Sequence, residues 1–199
     1  MNTTKKILLG SASPRRRELL QSLGLTFEVV AAPGIDETFP SGLSCEQIPQ
    51  HIALQKAKGY TLADDQLLIT ADTIVWLDGQ VLGKPVDAED ACRMLRLLSG
   101  HTHQVVTGVA LTTSQWTRSF SSLTHVTFAP LSEEEIRSYV DRFSPLDKAG
   151  AYGIQDAGGM FVESISGDYY TVMGLPLCSV SKALREEFGI LPFSKGTAE

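Results

Sequence analysis

One stretch near the beginning of the chain, Ile7–Leu20 (ILLGSASPRRRELL), restricts the possible fold more than any other. It begins with three consecutive apolar residues, which are typical of a short buried strand. Small residues follow, and then Ser13 and Pro14, the residue types favoured at the N-cap and the first position of a helix. The stretch therefore predicts a strand, a tight turn and the start of a helix.

Three arginines, Arg15, Arg16 and Arg17, occupy the first turn of that predicted helix. The positive end of the helix dipole disfavours cations, and each misplaced charge costs from a few tenths to about 1 kcal/mol. The backbone N–H groups at a helix start also lack acceptors within the helix. A bound anion, most commonly phosphate, would satisfy both requirements. Arginines that extend into solvent or pair with acids elsewhere are the equally simple alternative.

The rest of the chain predicts further strands and helices. Strands are predicted at residues 26–31, 67–77, 80–82, 103–111, 123–128, 160–165 and 169–173. Helices are predicted at residues 45–62 and 88–98. Another helix is predicted to begin at a capping box at residues 132–135, and the last is predicted to begin at residues 174–176 and to end at Gly189. Phe143 is expected on the buried face of the helix that follows the capping box. Without a repeat or a long linker, we expect one domain over residues 1–199, with a frayed tail at 194–199.

The composition argues against several classes of function. The chain has 199 residues and a formal net charge of −6, whereas general nucleic-acid binding requires a basic face. The apolar run at the N-terminus is too short for a signal peptide, and no stretch approaches the length of a membrane span. Cys45, Cys92 and Cys178 are widely spaced and odd in number. This pattern favours reduced thiols and a cytoplasmic protein.

Two charged residues stand where the pattern predicts burial. Asp72 interrupts the apolar strand at residues 67–77, and a buried carboxylate must be paired, hydrogen-bonded or bound to a metal. Lys56 lies in the middle of the apolar face of the helix at residues 45–62. It must therefore reach solvent, pair with an acid or bind an anion. Lys84 follows the Asp78–Gly79 hairpin turn, which directs it back along the strand that contains Asp72.

The segment Leu146–Gly159 (LDKAGAYGIQDAGG) is dense in glycine. This composition favours a tight backbone around a ligand, with a plain connecting loop as the alternative. Farther upstream, His101 and His103 could lie on one face of a strand. They lack a third nitrogen or sulfur ligand, so a polar pair at a strand edge is preferred over a transition-metal site.

The unusual charged residues share a chemical theme. The cations are the three arginines, Lys56, Lys84 and Lys148, and the carboxylates are Asp72 and the loop acids Asp36 and Glu37. Mg²⁺ and Mn²⁺ prefer oxygen ligands, and Mg²⁺ typically binds one or two carboxylates together with phosphate oxygens and water. The residues therefore indicate a polyphosphate, a divalent metal and a carboxylate base, without specifying which bond breaks.

A series of short motifs resembles the Maf family of nucleoside triphosphate pyrophosphatases over about residues 7–190. The motifs are Ser11-Ala12-Ser13-Pro14-Arg15-Arg16, Asp36-Glu37, Ala53-Leu54-Gln55-Lys56-Ala57, Ala71-Asp72-Thr73, Leu82-Gly83-Lys84-Pro85, Gly100-His101-Thr102-His103-Gln104-Val105, Asp147-Lys148-Ala149-Gly150-Ala151-Tyr152-Gly153-Ile154-Gln155 and Val172-Met173-Gly174-Leu175-Pro176-Leu177. The resemblance implies an elongated α/β fold, similar to inosine triphosphate pyrophosphatases, with a mixed β-sheet flanked by helices and two lobes around a central cleft. It also implies hydrolysis of a nucleoside triphosphate to the monophosphate and pyrophosphate with Mg²⁺ or Mn²⁺.

The same resemblance implies roles for individual residues. Asp72 is expected to accept a proton from the water that attacks the α-phosphorus, with Glu37 beside it at the metal. Arg16, Lys56 and Lys84 are expected to hold the phosphates. The full expected set is Asp72, Glu37, Lys56 and Lys84 for catalysis, Ser11, Arg15, Arg16, Thr73, Lys148 and Gln155 for substrate, and Glu37 and Asp72 for the metal. Arg17 receives no role.

Three positions bear on the substrate. Arg15, Thr73 and Gln155 resemble the dTTP/UTP pyrophosphatases rather than the branch acting on 7-methyl-GTP. Gln155 carries a donor and an acceptor, which suit the imide edge of uracil or thymine. Two residues depart from the family, since Asp156 and Thr70 stand where glycine is common.

Several alternatives to this function remain open. They are hydrolysis of 7-methyl-GTP, a broader nucleotide pyrophosphatase, a phosphatase that releases orthophosphate, and a nucleotide-binding regulator of septum formation. A nucleoside triphosphate and a second copy of the chain, in a homodimer, are the expected partners. Neither nucleic acid nor a membrane is expected as a partner.

Overall fold

A computed structural model describes residues 5–31 and 34–193. The strands there are β1 (Lys6–Leu9), β2 (Phe27–Val29), β3 (Gln66–Leu77), β4 (Gln80–Leu82), β5 (Thr102–Thr112), β6 (Thr117–Phe128) and β7 (Val162–Ser166). The helices are α1 (Pro14–Ser22), α2 (Gln47–Lys58), α3 (Ala88–Leu98), α4 (Glu133–Phe143), α5 (Tyr169–Met173) and α6 (Leu177–Phe188). Ala149–Ala151 and Ala157–Phe161 form short 3-10 helices. The tail predicted at residues 194–199 lies outside the described residues.

The strands form a mixed sheet in the order β2-β1-β3-β5-β6-β7, with β4 paired to β3. Strand β1 runs parallel to both neighbours, so that Leu8 lies opposite Glu28 on one side and Leu68 on the other. Strands β4 and β7 run antiparallel to β3 and β6. The predicted α/β fold with a mixed sheet is therefore confirmed.

The chain divides into two compact units. The first comprises Met1–Asp72, Thr107–Ser122 and Gly174–Glu199, and the second comprises Thr73–Val106 and Leu123–Met173. The core of the first unit includes Leu8, Ala53, Ala57, Leu68 and Ala110, and the core of the second includes Val75, Leu95, Phe128, Tyr152 and Phe161. The boundary falls within β3, between Asp72 and Thr73.

Most of the predicted element boundaries depend on local side-chain chemistry, and several are confirmed. Ser13 and Asp87 cap α1 and α3 through side-chain oxygens, and Ser132 and Glu135 form the predicted capping box of α4. The Asp78–Gly79 turn joins β3 to β4 with both residues at positive φ, 47° and 85°. Within the described ranges, no helix combines the length and apolar character needed to cross a bilayer.

The strand predicted at residues 169–173 is wrong, because this segment forms helix α5. Asp168 explains the difference. Its carboxylate accepts hydrogen bonds from Tyr170 N at 3.1 Å and from the Thr171 hydroxyl at 3.1 Å, which is the capping pattern of a helix start. Strand β7 pairs with β6 instead of with this segment.

Further corrections concern element limits and burial. Helix α2 ends at Lys58 rather than at residue 62, and β6 begins at Thr117 rather than at residue 123. Phe143 is 46% exposed and lies beneath the Arg142 guanidinium rather than in the core. The interpretation of His103 as part of a polar pair at a strand edge is also wrong, since His103 is 1% exposed.

Candidate active site

The turn after β1 is packed closely against β3. The Gly10 N–H donates to Ile69 O at 2.9 Å and so continues the pairing of β1 with β3. A Cβ atom at Gly10 would lie 2.8 Å from the Tyr60 hydroxyl and 3.0 Å from Thr70 Cγ2. Because real Cβ atoms do not approach other atoms so closely, glycine lets the chain reach Ser11 at this point.

Ser11 and Arg16 face each other across the start of α1. Ser11 is buried, and its hydroxyl accepts a hydrogen bond from Ser13 N at 3.2 Å. The Arg16 Nη1 atom lies 3.5 Å from the same hydroxyl, and Arg16 Nε donates to Gly174 O at 2.8 Å. Arg16 therefore has a fixed side-chain orientation, whereas Arg17 is exposed on the next helical position.

The first unit contains an ion triad of Lys56, Asp72 and Glu37. The Lys56 ammonium lies 2.7 Å from Asp72 Oδ1 and 2.9 Å from Glu37 Oε1. The side chains of Lys56 and Asp72 are only 13% and 11% exposed, while that of Glu37 is 50% exposed. Of the alternatives open for Lys56, pairing with acids is the one observed, and the same contact satisfies the buried carboxylate of Asp72.

Thr70, one of the two departures from the family pattern, links the strand to the helix that carries Lys56. It is fully buried, and its hydroxyl donates to Ala53 O at 2.8 Å. Ala53 lies one turn before Lys56 in α2, and Thr70 lies two residues before Asp72 in β3. The hydrogen bond therefore fixes the spacing between the elements that hold the two charged groups.

The charges of Asp72 and Glu37 also act on Arg16. Shielding from water lowers the pKa of the Arg16 guanidinium, and the negative charge of Asp72 opposes this shift. The positive charge of Arg15 lowers the pKa further, and Glu37 opposes it again. The first unit therefore combines Arg16, Lys56, Asp72 and Glu37 within electrostatic range of one another.

Other predicted site residues belong to the second unit. Thr73 is half-buried in β3, and Lys84 is exposed after β4. The Gly150 N–H donates to Gly83 O at 3.0 Å, which ties the loop after Lys148 to the turn before Lys84. A Cβ atom at Gly150 would lie 2.9 Å from Val75 Cγ2, so this loop also contacts β3 closely.

Lys148 is held by two acids of its own loop. Its ammonium lies 2.7 Å from Asp147 Oδ1 and 3.7 Å from Asp156 Oδ2, and its side chain is 15% exposed. Asp156 also accepts a hydrogen bond from Gly158 N at 3.0 Å and thereby caps the 3-10 helix at Ala157–Phe161. Gln155, immediately before Asp156, is exposed. The charge of Asp156 thus has partners within the loop.

Two parts of this arrangement could not be predicted from the sequence. One is the Gly174 carbonyl, which receives the hydrogen bond from Arg16, 158 positions earlier in the chain. The only signal for it was the motif at residues 172–177. The other is the structural role of Thr70, which appeared only as a departure from a glycine.

The two carboxylates of the ion triad, Asp72 and Glu37, are suitable ligands for a hard divalent cation. Asp72 and Glu37 each present a carboxylate oxygen to one shared cation, the Lys56 ammonium. Within residues 5–31 and 34–193, no cluster of three or more histidine, cysteine, aspartate or glutamate side chains could hold a metal. Two carboxylates agree with the ligand set of Mg²⁺, which completes its coordination with water and phosphate oxygens.

Comparison with known proteins identifies close relatives. Residues 6–187 match the family model described as Maf-like protein. A dTTP/UTP pyrophosphatase of Phocaeicola vulgatus is 57% identical over 175 residues, covering 86% of this chain and 91% of the relative. A dTTP/UTP pyrophosphatase of Porphyromonas gingivalis is 50% identical over 186 residues, covering 91% and 94%. A HAM1 protein from Coxiella burnetii has a similar fold, with a TM-score of 0.53 at 16% identity, covering 92% of this chain and 99% of that one.

Proposed function

This chain belongs to the Maf-like protein family, and we propose that it hydrolyses dTTP and UTP to the nucleoside monophosphate and pyrophosphate. The observation that carries the proposal is the contact of the Lys56 ammonium with both Asp72 and Glu37. It combines a carboxylate base with phosphate-binding charge in one cluster, in which the Lys56 and Asp72 side chains are largely buried. The high identity to relatives named dTTP/UTP pyrophosphatases supports the choice of pyrimidine substrates.

Asp72 is the proposed general base. Lys56 contacts one carboxylate oxygen, Oδ1, which fixes the orientation of the side chain and directs the other oxygen to a defined position. There it would accept a proton from the water that attacks the α-phosphorus. A carboxylate that is already oriented loses little entropy when the reaction begins, which is the advantage of a positioned catalytic group.

Arg16, Lys56 and Lys84 are proposed to bind the triphosphate, with Ser11 beside Arg16. The hydrogen bond from Arg16 Nε to Gly174 O fixes the plane of the guanidinium, so that its position is set before substrate binds. Charge held in place in this way stabilises negative charge that develops on the phosphate oxygens. The positive charges also offset the unfavourable placement of an anionic substrate next to Asp72 and Glu37.

Base selection is proposed to depend on Arg15, Thr73 and Gln155, and Lys148 is proposed as a further substrate-binding residue. The exposed amide of Gln155 offers both a donor and an acceptor, as the imide edge of uracil or thymine requires. A base with a different hydrogen-bonding edge would leave one of these groups unpaired, and it would therefore bind less tightly.

Glu37 and Asp72 are the proposed ligands of Mg²⁺ or Mn²⁺. Such an ion would stabilise negative charge on the triphosphate when bound. We also propose a cytoplasmic location and a homodimer. No disulfide joins Cys45, Cys92 and Cys178, which is consistent with a reducing compartment.

The test is hydrolysis of a panel of nucleoside triphosphates with Mn²⁺, for the wild type and for Asp72→Asn. We expect pyrophosphate from dTTP and UTP with the wild type, and binding without turnover with the variant. Activity confined to purine nucleotides or 7-methyl-GTP would contradict the pyrimidine assignment. Orthophosphate as the first product would indicate a phosphatase, and tight binding without turnover by the wild type would indicate a regulator.

A further inference from the structure

We propose that His103 is a positioning residue for the loop that carries Lys148 and Gln155. His103 lies in the core of the second unit and holds the Tyr152 side chain, and Tyr152 in turn fixes the backbone between the two substrate residues. The inference rests on the proposed function in one respect, since the substrate roles of Lys148 and Gln155 belong to that proposal. It gives a role to a histidine motif that the proposed reaction leaves without one.

The contact between His103 and Tyr152 is buried and specific. His103 is 1% exposed and Tyr152 is 5% exposed, and His103 Nε2 lies 2.8 Å from the Tyr152 hydroxyl. The His103 ring also packs edge-to-face against Tyr152 at 5.5 Å and against Phe128 at 5.0 Å. Phe128 contacts Tyr152 in the same manner at 4.8 Å, so that the three rings form one interlocked group.

The backbone next to Tyr152 adopts a conformation that needs tertiary support. Gly150 and Ala151 both have positive φ, 68° and 61°, and this region is unfavourable for alanine because of its Cβ atom. Ala151 is also fully buried. A residue persists in such a strained conformation only where the surrounding structure holds it, and the contact of the adjacent Tyr152 with His103 contributes to this support.

Gln155 lies between two buried aromatic anchors. Tyr152 precedes it by three residues, and Phe161 follows it by six. Phe161 is 2% exposed and packs on Phe128 at 5.9 Å and on Tyr139 at 4.9 Å. Both Tyr152 and Phe161 therefore contact Phe128. The position of the exposed Gln155 between them depends on the contacts that these two side chains make in the core.

The chemistry of His103 indicates a role other than core stability. Its Nδ1 atom is buried without a hydrogen-bond partner among the described residues. An apolar side chain of similar size would avoid this unsatisfied group and its desolvation penalty. It would also leave the Tyr152 hydroxyl without the partner observed here. Histidine at this position therefore makes the contact with Tyr152 but lowers the stability of the core.

The test compares variants by two readouts. Tyr152→Phe and His103→Leu remove the hydrogen bond, whereas the side-chain amide of His103→Gln can retain it. Ile136→Val, in the same core but on α4, is the control for a general loss of stability. The first readout is hydrogen exchange of the backbone amides of residues 148–156 without substrate, and the second is kcat and KM for dTTP.

We expect faster exchange in residues 148–156 for both disrupting variants and near wild-type exchange for His103→Gln and Ile136→Val. KM for dTTP is expected to rise about fivefold, as for the loss of one hydrogen bond, with kcat changed less than about twofold. The double variant of His103→Leu and Tyr152→Phe should show no larger effect than either single variant.

Three results would overturn the inference: exchange equal to that of the control, an unchanged KM, or additive effects in the double variant. Tyr152→Phe removes a single oxygen atom, so it supplies the answer if His103→Leu fails to fold. Exchange is measured without substrate, and it therefore tests the loop contact even if the wild type does not hydrolyse dTTP. Failure of the proposed function and failure of this inference are thus separate results.

Discussion

Replacing Lys56 by methionine would test the ion triad directly. Methionine keeps much of the apolar stem but removes the ammonium that contacts Asp72 at 2.7 Å and Glu37 at 2.9 Å. Removing one partner of a buried pair costs about 3–5 kcal/mol, because the other charge remains without compensation. Glu37 is half-exposed and contributes little to this cost, and Arg16 still acts on Asp72. We therefore expect a loss near the lower limit, about 3 kcal/mol.

The assay is unfolding in urea of the wild type, Lys56→Met, Asp72→Asn and the double variant. Asp72→Asn removes the charge that Lys56→Met leaves behind, so the double variant should be less destabilised than the sum of the single changes. The expected coupling is about 2 kcal/mol, within the range for residues in direct contact. Turnover of dTTP should be lost in all three variants.

A titration with Mn²⁺ extends the same comparison. In Lys56→Met the two carboxylates lose the cation that occupies the position between them. A divalent ion should therefore raise the thermal midpoint of this variant more than that of the wild type, because a ligand stabilises the state that binds it. The double variant, with one carboxylate fewer, should respond less than Lys56→Met.

Two outcomes would show that Lys56 does not hold Asp72 in a buried ion pair. A loss of stability below about 1 kcal/mol for Lys56→Met would mean that the contact behaves as an exposed ion pair. Coupling near zero between Lys56 and Asp72 would mean that the lysine does not orient the carboxylate. Either result would remove the structural basis for Asp72 as a positioned base.

Three further predictions concern other residues. Arg16→Ala should lower kcat/KM for dTTP by about a hundredfold or more, as for loss of a charged hydrogen bond at the phosphates, whereas exposed Arg17→Ala should change it less than about twofold; equal losses would contradict the distinction. Asp156→Asn should leave KM nearly unchanged because the amide oxygen can still accept from Gly158 N, whereas Asp156→Gly should raise KM about threefold; if the charge of Asp156 were decisive, steady-state kinetics would show the same rise in KM for both variants. Burial lowers the pKa of His103 from 6.5 to about 4, so the unfolded chain binds the proton more readily and stability falls as the pH falls below about 6.5. Between about pH 7 and pH 5, the unfolding free energy of the wild type should fall by about 2 kcal/mol more than that of His103→Gln. If urea unfolding shows the same pH dependence for both proteins, the lowered pKa of His103 is contradicted.

Local chemistry explains why much of the fold could be predicted from the sequence. Ser13, Asp87 and the Asp78–Gly79 turn act on backbone atoms within a few residues, so their effects are readable without tertiary structure. The segment Tyr169–Met173 shows the limit of this approach. Its residue types favour a strand, but the caps supplied by Asp168 start a helix, and β7 pairs with β6 instead.

The candidate site was predictable to a similar degree. Apolar periodicity predicted that Asp72 is buried and that Lys56 points inward. The structure shows that the two side chains contact each other at 2.7 Å. The hydrogen bond from Arg16 to Gly174 could not be predicted, because it depends on how segments 158 residues apart pack in three dimensions. Burial of His103 was missed for the same reason, since its partner Tyr152 lies in a distant loop. Substrate roles such as that of Gln155 came from family resemblance alone.

In the proposed reaction, water attacks the α-phosphorus of dTTP or UTP with Asp72 as the base. Hydrolysis in water enriched with heavy oxygen, followed by mass spectrometry of the products, tests this step. We expect the label in the nucleoside monophosphate and none in pyrophosphate, with no turnover by Asp72→Asn. Label in pyrophosphate, release of orthophosphate as the first product, or full turnover by Asp72→Asn would contradict it.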